Sequence, residues 1–193
     1  MTLKTILLFG APGSGKGTQG KILGSIPQFY HCSCGDVFRS LRLDSELGRV
    51  FAEYSSRGQL VPDGPTIDLW RQFIAACQQA GRYDPATDLL VLDGIPRNPN
   101  QARLLSDTLD VRAVLHLTCS VFDKLVERLQ RRALRENRLD DANLDVIRHR
   151  FEAYELETRP VLDYYGKSLL HVVDATQNPV GVLHDILKVL VSL

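Results

Sequence analysis

A glycine-rich run near the N-terminus has the residue types and spacing of a phosphate-binding loop. It reads Gly10-Ala-Pro-Gly-Ser-Gly-Lys16, follows an apolar stretch and opens a helical pattern, and this context makes the motif specific. Glycines allow successive backbone N–H groups to turn inward, the helix N-terminus adds partial positive charge, and the lysine supplies a mobile cation for the outer phosphates. The run therefore predicts a binding site for the phosphate tail of a nucleoside triphosphate.

The residues after the lysine distinguish this loop from the common form. Most phosphate-binding loops place a Ser or Thr directly after the lysine, where its hydroxyl binds Mg²⁺. Here Gly17 intervenes, and the hydroxyl belongs to Thr18. We therefore expect Mg²⁺ to be held mainly by phosphate oxygens and water.

A second set of residues suited to phosphate is a cluster of arginines in the C-terminal half. From 128 to 150 the chain has seven arginines and four acidic residues, although the whole chain balances 23 Lys plus Arg against 23 Asp plus Glu. Guanidinium groups are planar, permanently charged and bidentate toward phosphate. The balanced total gives no reason to expect nucleic acid or a membrane as partner, so the cluster predicts a local site for phosphate groups.

Short apolar runs without alternation predict the strands that position these residues, because such runs are typical of parallel strands buried on both faces. Between them lie helical patterns, one after a Ser120-x-x-Asp123 capping sequence and another expected to kink at Pro160. This alternation predicts an α/β fold with an open parallel sheet, whose ligands lie beyond the carboxyl ends of the strands. The predicted strands are 5–9, 29–32, 89–92, 113–117 and 169–173.

Two stretches, 39–62 and 133–143, fit the alternation of strand and helix poorly and are interpreted as inserts over the site. The 193 residues are expected to form a single domain. The four cysteines lack the spacing of a zinc site, and the N-terminus lacks the pattern of a signal peptide. These features predict a cytoplasmic protein without structural zinc.

Several ordered motifs resemble those of the adenylate kinase family and its close nucleoside monophosphate kinase relatives. The first is the glycine-rich loop continued through Thr18-Gln19. The others are Ser33-Cys-Gly-Asp-Val-Phe-Arg39, Gly58-Gln-Leu-Val-Pro62, Asp93-Gly-Ile-Pro-Arg97-Asn-Pro-Asn-Gln101 and the arginines around Arg138-Leu-Asp-Asp141. The resemblance covers almost the whole chain. It implies a three-layer P-loop NTPase fold with a five-stranded parallel sheet in the order 2-3-1-4-5, flanked by helices. It also implies an NMP-binding insert at 33–62 and a short lid at 133–143.

By this resemblance the enzyme transfers the γ-phosphoryl group of ATP reversibly to AMP, giving two ADP, with Mg²⁺ as MgATP. It is expected to be a monomer whose partners are ATP, AMP and ADP, without nucleic acid or membrane. The residues implied in ATP binding are Gly13, Ser14, Gly15, Lys16, Gly17, Thr18, Arg128, Arg132 and Gln177. Those implied in AMP binding are Cys34, Arg39, Gln59, Val61, Gly94, Arg97, Gln101, Arg138 and Arg150. The implied catalytic residues are Lys16, Arg97, Arg128, Arg132, Arg138 and Arg150. The residue implied to orient Mg²⁺ through water is Asp93.

Arg138 lies in the predicted lid, so we expect the lid and the insert to fold over bound nucleotide and exclude water. Asp140 and Asp141 are interpreted as ion-pair partners that close the lid. The chain is one residue longer than the family between this acidic pair and Arg150, which leaves Arg148 as the alternative. Three arginines match no family motif and are expected on a solvated helix face: Arg131, Arg135 and Arg148.

The acceptor is the main choice that the residues leave open. The family's Ser-Thr-Gly-Asp is Ser-Cys34-Gly-Asp here, and the pyrimidine monophosphate kinases typically have alanine at this position. Gln101 favours AMP, because an amide can both donate to and accept from the adenine edge; UMP or CMP is the alternative. Cys34 also precedes a predicted helix, where a thiol pKa can fall, so oxidation that blocks the acceptor site is a further hypothesis. A nucleotide-binding switch is a remote alternative, because it would not need Arg39 and Arg97 on the acceptor side.

Overall fold

The computed structural model describes residues 2–193. Its strands are β1 (Leu3–Phe9), β2 (Phe29–Ser33), β3 (Leu89–Asp93), β4 (Leu109–Thr118) and β5 (Leu170–Asp174). They form one five-stranded sheet in the order β2-β3-β1-β4-β5, and each neighbouring pair is parallel. This confirms the α/β class predicted from the sequence pattern and the sheet order implied by the family resemblance.

The helices that connect and cover the strands begin and end as follows: α1 (Lys16–Leu23), α2 (Cys34–Arg39), α3 (Glu46–Ser56), α4 (Asp63–Gln79), α5 (Pro99–Leu105), α6 (Phe122–Glu136), α7 (Leu144–Ala153), α8 (Val161–Tyr165) and α9 (Pro179–Val191). A 3₁₀ turn (Leu139–Asp141) lies between α6 and α7, and a π-helical turn (Tyr154–Thr158) follows α7. Asparagine side chains cap the starts of α5, α7 and α9. The predicted cap at Ser120 is wrong, because Val121 is the N-cap of α6 and makes no side-chain hydrogen bond.

The sheet divides the hydrophobic core into two clusters. Leu7, Leu92 and Val114 pack in the cluster that α2, α4, α5 and α8 cover. Ile6 and Val91 pack in the other cluster, with α1 and α9. Consecutive strand residues point to opposite faces of a sheet, and here both faces are covered. The three layers therefore explain why the strand runs are apolar without alternation.

Both stretches interpreted as inserts contain more regular structure than the sequence indicated. Within 39–62, α3 packs Leu47 and Phe51 against the core. Within 133–143, the first four residues extend α6, and the 3₁₀ turn occupies three of the remaining seven. Pro160 separates the π-helical turn from α8, in line with the predicted kink, because proline lacks a backbone N–H.

Among residues 2–193, the helices include none with both the length and the apolar character that crossing a membrane requires.

Candidate active site

A cleft of about 900 Å³ opens at the carboxyl ends of β1 and β3, where ligands of open α/β sheets bind. Its walls come from the loop after β1, α2, residues 58–61, the loop after β3, and parts of α6 and α7. The start of α9 closes one end. Every residue that the sequence assigned to the nucleotide site lines this cleft. The fold thus brings residues as distant in sequence as Gly10 and Gln177 into one cavity.

The loop between β1 and α1 has a backbone that most side chains would not permit. Gly10, Gly13 and Gly15 have φ angles of 145°, 80° and 97°, a region that residues with a Cβ rarely adopt. A Cβ on Gly13 would also lie 2.6 Å from the carbonyl oxygen of Leu125 in α6. The glycines therefore shape the loop and let it approach α6 closely.

Lys16 begins α1, and its ammonium group folds back over the loop. Its Nζ donates hydrogen bonds to the carbonyl oxygens of Gly10 at 2.6 Å and Ala11 at 3.1 Å. These bonds hold the cation above the floor of the cleft, at the N-terminal end of a helix that itself favours anions.

Other charges converge on the Lys16 ammonium group. Burial lowers the pKa of Lys16 to about 8, and the carboxylate of Asp93 opposes this shift. Three guanidinium groups are close enough to lower the pKa further, and they come from three separate segments: Arg97, Arg132 and Arg150. The cleft therefore concentrates positive charge in a chain that is neutral overall.

A buried carboxylate holds two of these arginines. Asp141 accepts hydrogen bonds from Nε and Nη2 of Arg132 at 2.6 and 2.9 Å and also pairs with Arg150. Asp141 is 0% exposed, and burial alone would raise its pKa, but the two guanidinium groups hold the pKa below its usual range. The side chain therefore stays ionised and fixes the orientation of both arginines.

The structure distinguishes Arg150 from Arg148, which the sequence left open. Arg150 lines the cleft and pairs with Asp140 at 2.9 Å. Arg148 is exposed and pairs with Asp145 at 3.3 Å. Of the two arginines, Arg150 is the one that a ligand in the cleft can meet.

The segments interpreted as insert and lid contact each other across the cleft. Asp36 in α2 accepts hydrogen bonds from Arg39 at 2.6 Å and from Arg138 at 3.3 Å. Arg138 also pairs with Glu136 at 2.7 Å. The insert also packs closely against α7, because a Cβ on Gly58 would lie 2.7 Å from the carbonyl oxygen of Val146 and 3.1 Å from Cγ of Arg150. One carboxylate is thus shared by an arginine of the insert and an arginine of the lid.

The loop after β3 turns Arg97 into the cleft. Its Nε donates to the carbonyl oxygen of Gly94 at 3.1 Å, and its backbone N–H donates to Oε1 of Gln101 at 2.7 Å. Gly94 has a φ of 82°, which allows the sharp turn at the end of the strand. Hydrogen bonds within the loop and from α5 therefore position Arg97.

Cys34 is the first residue of α2, one position further into the helix than the sequence indicated, and it lacks a reactive thiol. The side chain is 4% exposed, and burial raises the pKa of its thiol to about 11, despite the nearby charges of Arg97 and Arg39. The fall in pKa on which the oxidation hypothesis rests is not found, because the loss of solvation outweighs the field at the N-terminus of this six-residue helix. Oxidation of Cys34 as a block on the acceptor site loses its chemical basis.

The end of the cleft next to Gln19 is closed by the start of α9. Gln19 is buried and donates to the carbonyl oxygen of Pro179 at 2.9 Å. Nε2 of Gln177 donates to Asp185 at 2.8 Å and to the carbonyl oxygen of Asp174 at 3.2 Å. The Gln19 bond ties the start of α9 to α1, and the Gln177 bonds hold the turn between β5 and α9.

Sequence reasoning missed two features, one beside the cleft and one in its wall. Asp63 accepts hydrogen bonds from three amide side chains that lie 35 to 38 positions later, and no local spacing connects such distant partners. Arg131 and Arg135 are exposed as expected, but they also line the cleft. Their spacing of three and seven residues from Arg128 was the available signal, because it puts them on the same helix face.

The fold and the cleft together define a class of enzyme. A parallel sheet with a glycine-rich loop between its central strand and a helix, facing a lysine and several arginines, is the equipment with which P-loop enzymes hold and transfer phosphoryl groups. The chain is thus a P-loop phosphotransferase.

Comparison with known proteins gives the family. The adenylate kinase family model matches residues 8–169. Proteins named adenylate kinase from Thermobifida fusca, Parabacteroides distasonis and Leuconostoc mesenteroides are 38%, 35% and 32% identical to this chain. The matches cover 88%, 86% and 98% of this chain and 89%, 86% and 98% of those proteins. The chain belongs to the adenylate kinase family and is a nucleoside monophosphate kinase.

Proposed function

We propose that this kinase transfers the γ-phosphoryl group of MgATP reversibly to AMP, giving two ADP. Transfer of this kind requires donor and acceptor to be held in line while the charge on the moving group is neutralised. The observation that carries the proposal is the convergence of four cationic side chains from four segments: Lys16, Arg97, Arg132 and Arg150. Such a set suits a phosphoryl group that passes between two nucleotides.

On the donor side, the backbone N–H groups of the loop 13–18 would surround the β- and γ-phosphates. Lys16 would exchange its carbonyl partners for phosphate oxygens. Arg128 and Arg132 are four residues apart on α6 and share a face, so both would contact the same phosphate chain. Gln177, at the far end of the cleft, would lie beside the donor base.

On the acceptor side, Arg39 and Arg97 would clamp the monophosphate, and Arg138 and Arg150 would reach it from the lid side. The acceptor base would lie among residues that line that part of the cleft: Cys34, Gln59, Val61, Gly94 and Gln101. No catalytic base is needed, because the attacking phosphate oxygen is already anionic. The work of these residues is to orient the acceptor and exclude water.

The residues beside the loop fit a magnesium ion. Mg²⁺ prefers oxygen ligands, keeps several waters and binds through one or two carboxylates together with substrate phosphates. Asp93 ends β3 next to the loop, and a Cβ on Gly17 would lie 3.6 Å from its Oδ2. When bound, Mg²⁺ would neutralise charge on the donor phosphates. Asp93 would orient the water between its carboxylate and the ion.

The insert (33–62) and the short lid (133–143) are proposed to close over bound nucleotides, supported by the contact of Asp36 with both Arg39 and Arg138. Small-angle scattering with a bisubstrate analogue should show a more compact protein, and Arg138→Ala should lower the turnover rate. A scattering curve that does not change, or full turnover in Arg138→Ala, contradicts closure.

Phosphorus NMR of the protein with MgATP and AMP tests the proposed reaction directly. AMP should be consumed while ADP forms, and the reverse reaction should start from MgADP alone. Parallel tubes with UMP and CMP test the alternative acceptors, and faster transfer to either of them overturns the choice of AMP. If inorganic phosphate is released and no nucleoside monophosphate is consumed, the protein hydrolyses ATP without transferring the phosphoryl group, and the proposal as a whole is contradicted. A cytoplasmic, monomeric, zinc-free enzyme stays a prediction.

A further inference from the structure

A single carboxylate gathers three amide side chains beside the acceptor end of the cleft. Asp63, at the start of α4, accepts hydrogen bonds from Nδ2 of Asn98 at 2.8 Å, Nδ2 of Asn100 at 2.7 Å and Nε2 of Gln101 at 2.8 Å. We call these four residues the Asp63 cluster. It joins the end of the insert to the segment that follows the Arg97 loop, and Gln101 is its member that lines the cleft.

The amide of Gln101 has only one orientation that satisfies both of its protein partners. Its Oε1 accepts the backbone N–H of Arg97 at 2.7 Å, and its Nε2 donates to Asp63. A backbone N–H can only donate and an ionised carboxylate can only accept. Turning the amide over would therefore create a donor–donor and an acceptor–acceptor contact. Gln101 is 1% exposed, so bulk water cannot relieve either contact.

Asp63 is suited to this role because it stays ionised. Burial acts to raise its pKa, but the amide groups of Asn100, Asn98 and Gln101 together hold the pKa below its usual range. At neutral pH the carboxylate is therefore an acceptor only, with two oxygens shared among three donors.

A fixed amide gives the acceptor site a fixed order of donor and acceptor. Gln101 has one N–H and one oxygen lone pair beyond those used by its protein partners. Adenine offers an amino donor next to a ring-nitrogen acceptor, whereas a 6-oxopurine offers a carbonyl acceptor next to an N–H donor. An amide that could turn over would pair with either edge, but a fixed one pairs with only one of them.

We infer that Asp63 is a positioning residue that holds the Gln101 amide so that the acceptor site selects a 6-aminopurine over a 6-oxopurine monophosphate. This inference rests on the proposed function, in which Gln101 contacts the acceptor base. AMP and IMP are the appropriate probes, because they have nearly the same shape and differ in this donor–acceptor order.

The experiment compares kcat/KM for AMP with kcat/KM for IMP on the same preparation of each variant. The ratio cancels any difference in the folded fraction. Asp63→Ala should lower the AMP-to-IMP ratio about tenfold, because it leaves a buried amide donor unpaired and removes one of the two groups that orient it. Asp63→Asn should retain most of the ratio, because its carbonyl oxygen can accept from the same donors.

Two matched controls separate positioning from general damage to the cluster. Asn100→Ala removes a donor to Asp63 without touching Gln101, and Asp68→Ala changes an exposed carboxylate of the same helix. Both should keep the ratio within about twofold of the parent enzyme. Asp63→Ser, which is too short to reach Gln101 in the same way, replaces Asp63→Ala if the latter does not fold.

The outcomes distinguish the inference from the function on which it rests. If the parent enzyme prefers AMP to IMP and Asp63→Ala slows both substrates equally, Asp63 is structural only and the inference is wrong while the function stands. If Asn100→Ala lowers the AMP-to-IMP ratio as much as Asp63→Ala does, the inference about Asp63 is also wrong. If the parent enzyme transfers to UMP or CMP and not to AMP, the proposed function fails and the inference fails with it.

Discussion

The two ends of the cleft are built in different ways. The donor end, where we propose that ATP binds, is a contiguous loop whose shape comes from the backbone of Gly10, Gly13 and Gly15. The acceptor end, where we propose that AMP binds, is assembled from the segments 33–39 and 94–101 and from Asp63, and hydrogen bonds between side chains hold it together. The donor end depends on glycines, which have no side chain, and the acceptor end depends on hydrogen bonds between particular pairs of side chains.

This difference shows which changes each end can tolerate. A phosphate chain is the same in every nucleoside triphosphate, so a backbone cradle that reads only phosphate is sufficient at the donor end. An acceptor site has to distinguish bases, and hydrogen bonds with defined donor–acceptor order provide that discrimination. We therefore expect substitutions of the loop glycines to affect ATP alone and substitutions in the acceptor cluster to affect the choice of base.

Lys16→Met should give the largest effect, because it removes a cation from the donor end and from the path of the moving group together. We expect kcat to fall about 10³-fold, as for the loss of a preorganised charge-stabilising group. Steady-state assays with both substrates saturating measure this change, and Lys167→Met, on the exposed surface, is the control. A loss below tenfold would show that the arginines alone neutralise the transferred group.

Gly13→Ala should separate the two ends most clearly. The new Cβ would meet the Leu125 carbonyl oxygen at 2.6 Å, at a φ of 80° that disfavours alanine. We expect kcat/KM for ATP to fall about 100-fold from displacement of the loop, while AMP binding measured by calorimetry stays unchanged. The control is Gly64→Ala, whose Cβ would have no neighbour within 4 Å in the described structure. An equal loss of AMP binding would mean that the two ends are not independent.

Asp141→Ala should lower the stability of the protein between the two ends of the cleft, because Arg132 and Arg150 lose the buried carboxylate that pairs with both of them. Removing one partner of a buried pair costs about 3 kcal/mol, which chemical denaturation would measure as a lower free energy of unfolding. Asp145→Ala is the matched control, since the exposed pair with Arg148 is worth less than about 1 kcal/mol. Equal losses in the two variants would contradict the orienting role of Asp141.

The pH dependence should differ between the two substrates. Burial lowers the pKa of Lys16 to about 8, so the lysine is cationic below this pH and loses its charge as the pH rises through it. Because only the cation attracts phosphate, kcat/KM for ATP should fall about tenfold per pH unit at higher pH. The arginines of the acceptor end keep their charge, so calorimetric AMP affinity should stay level from pH 7 to 9. If kcat/KM for ATP and the affinity for AMP fell together as the pH rises, a group other than Lys16 would be responsible for the pH dependence.

The donor loop and the sheet could be predicted because their signals are local. The glycines, the lysine and the threonine of residues 10–18 form a motif that can be recognised from their spacing alone. Strands that are buried on both faces appear as apolar runs. The start of β4 was placed too late, since β4 begins at Leu109 and includes Asp110 and Arg112, polar residues that hide a strand from a search for apolar runs.

The acceptor end could be predicted only in part, because its arrangement depends on contacts between distant residues. Arg97 and Gln101 belong to one motif, but Asp63 joins them from a different helix. The pKa of the Cys34 thiol depends on burial, which a sequence does not state, so the nearby helix N-terminus suggested a shift opposite to the one that burial causes. The prediction of the N-cap of α6 was wrong for a related reason. Ser120 has a hydroxyl that could cap a helix, but it lies one residue before the N-cap position, which Val121 occupies.

The carboxylates that already occupy the arginines have a consequence for the speed of turnover. Asp36 pairs with Arg39 and Arg138, and Asp141 pairs with Arg132 and Arg150. A nucleotide entering the cleft therefore exchanges one anion for another rather than meeting bare cations. This exchange lowers the net binding free energy that each contact between an arginine and a phosphate contributes. When the product nucleotides leave, the same carboxylates compete with the phosphates for the arginines. We expect the products to leave readily from a site whose positive charge would otherwise retain them.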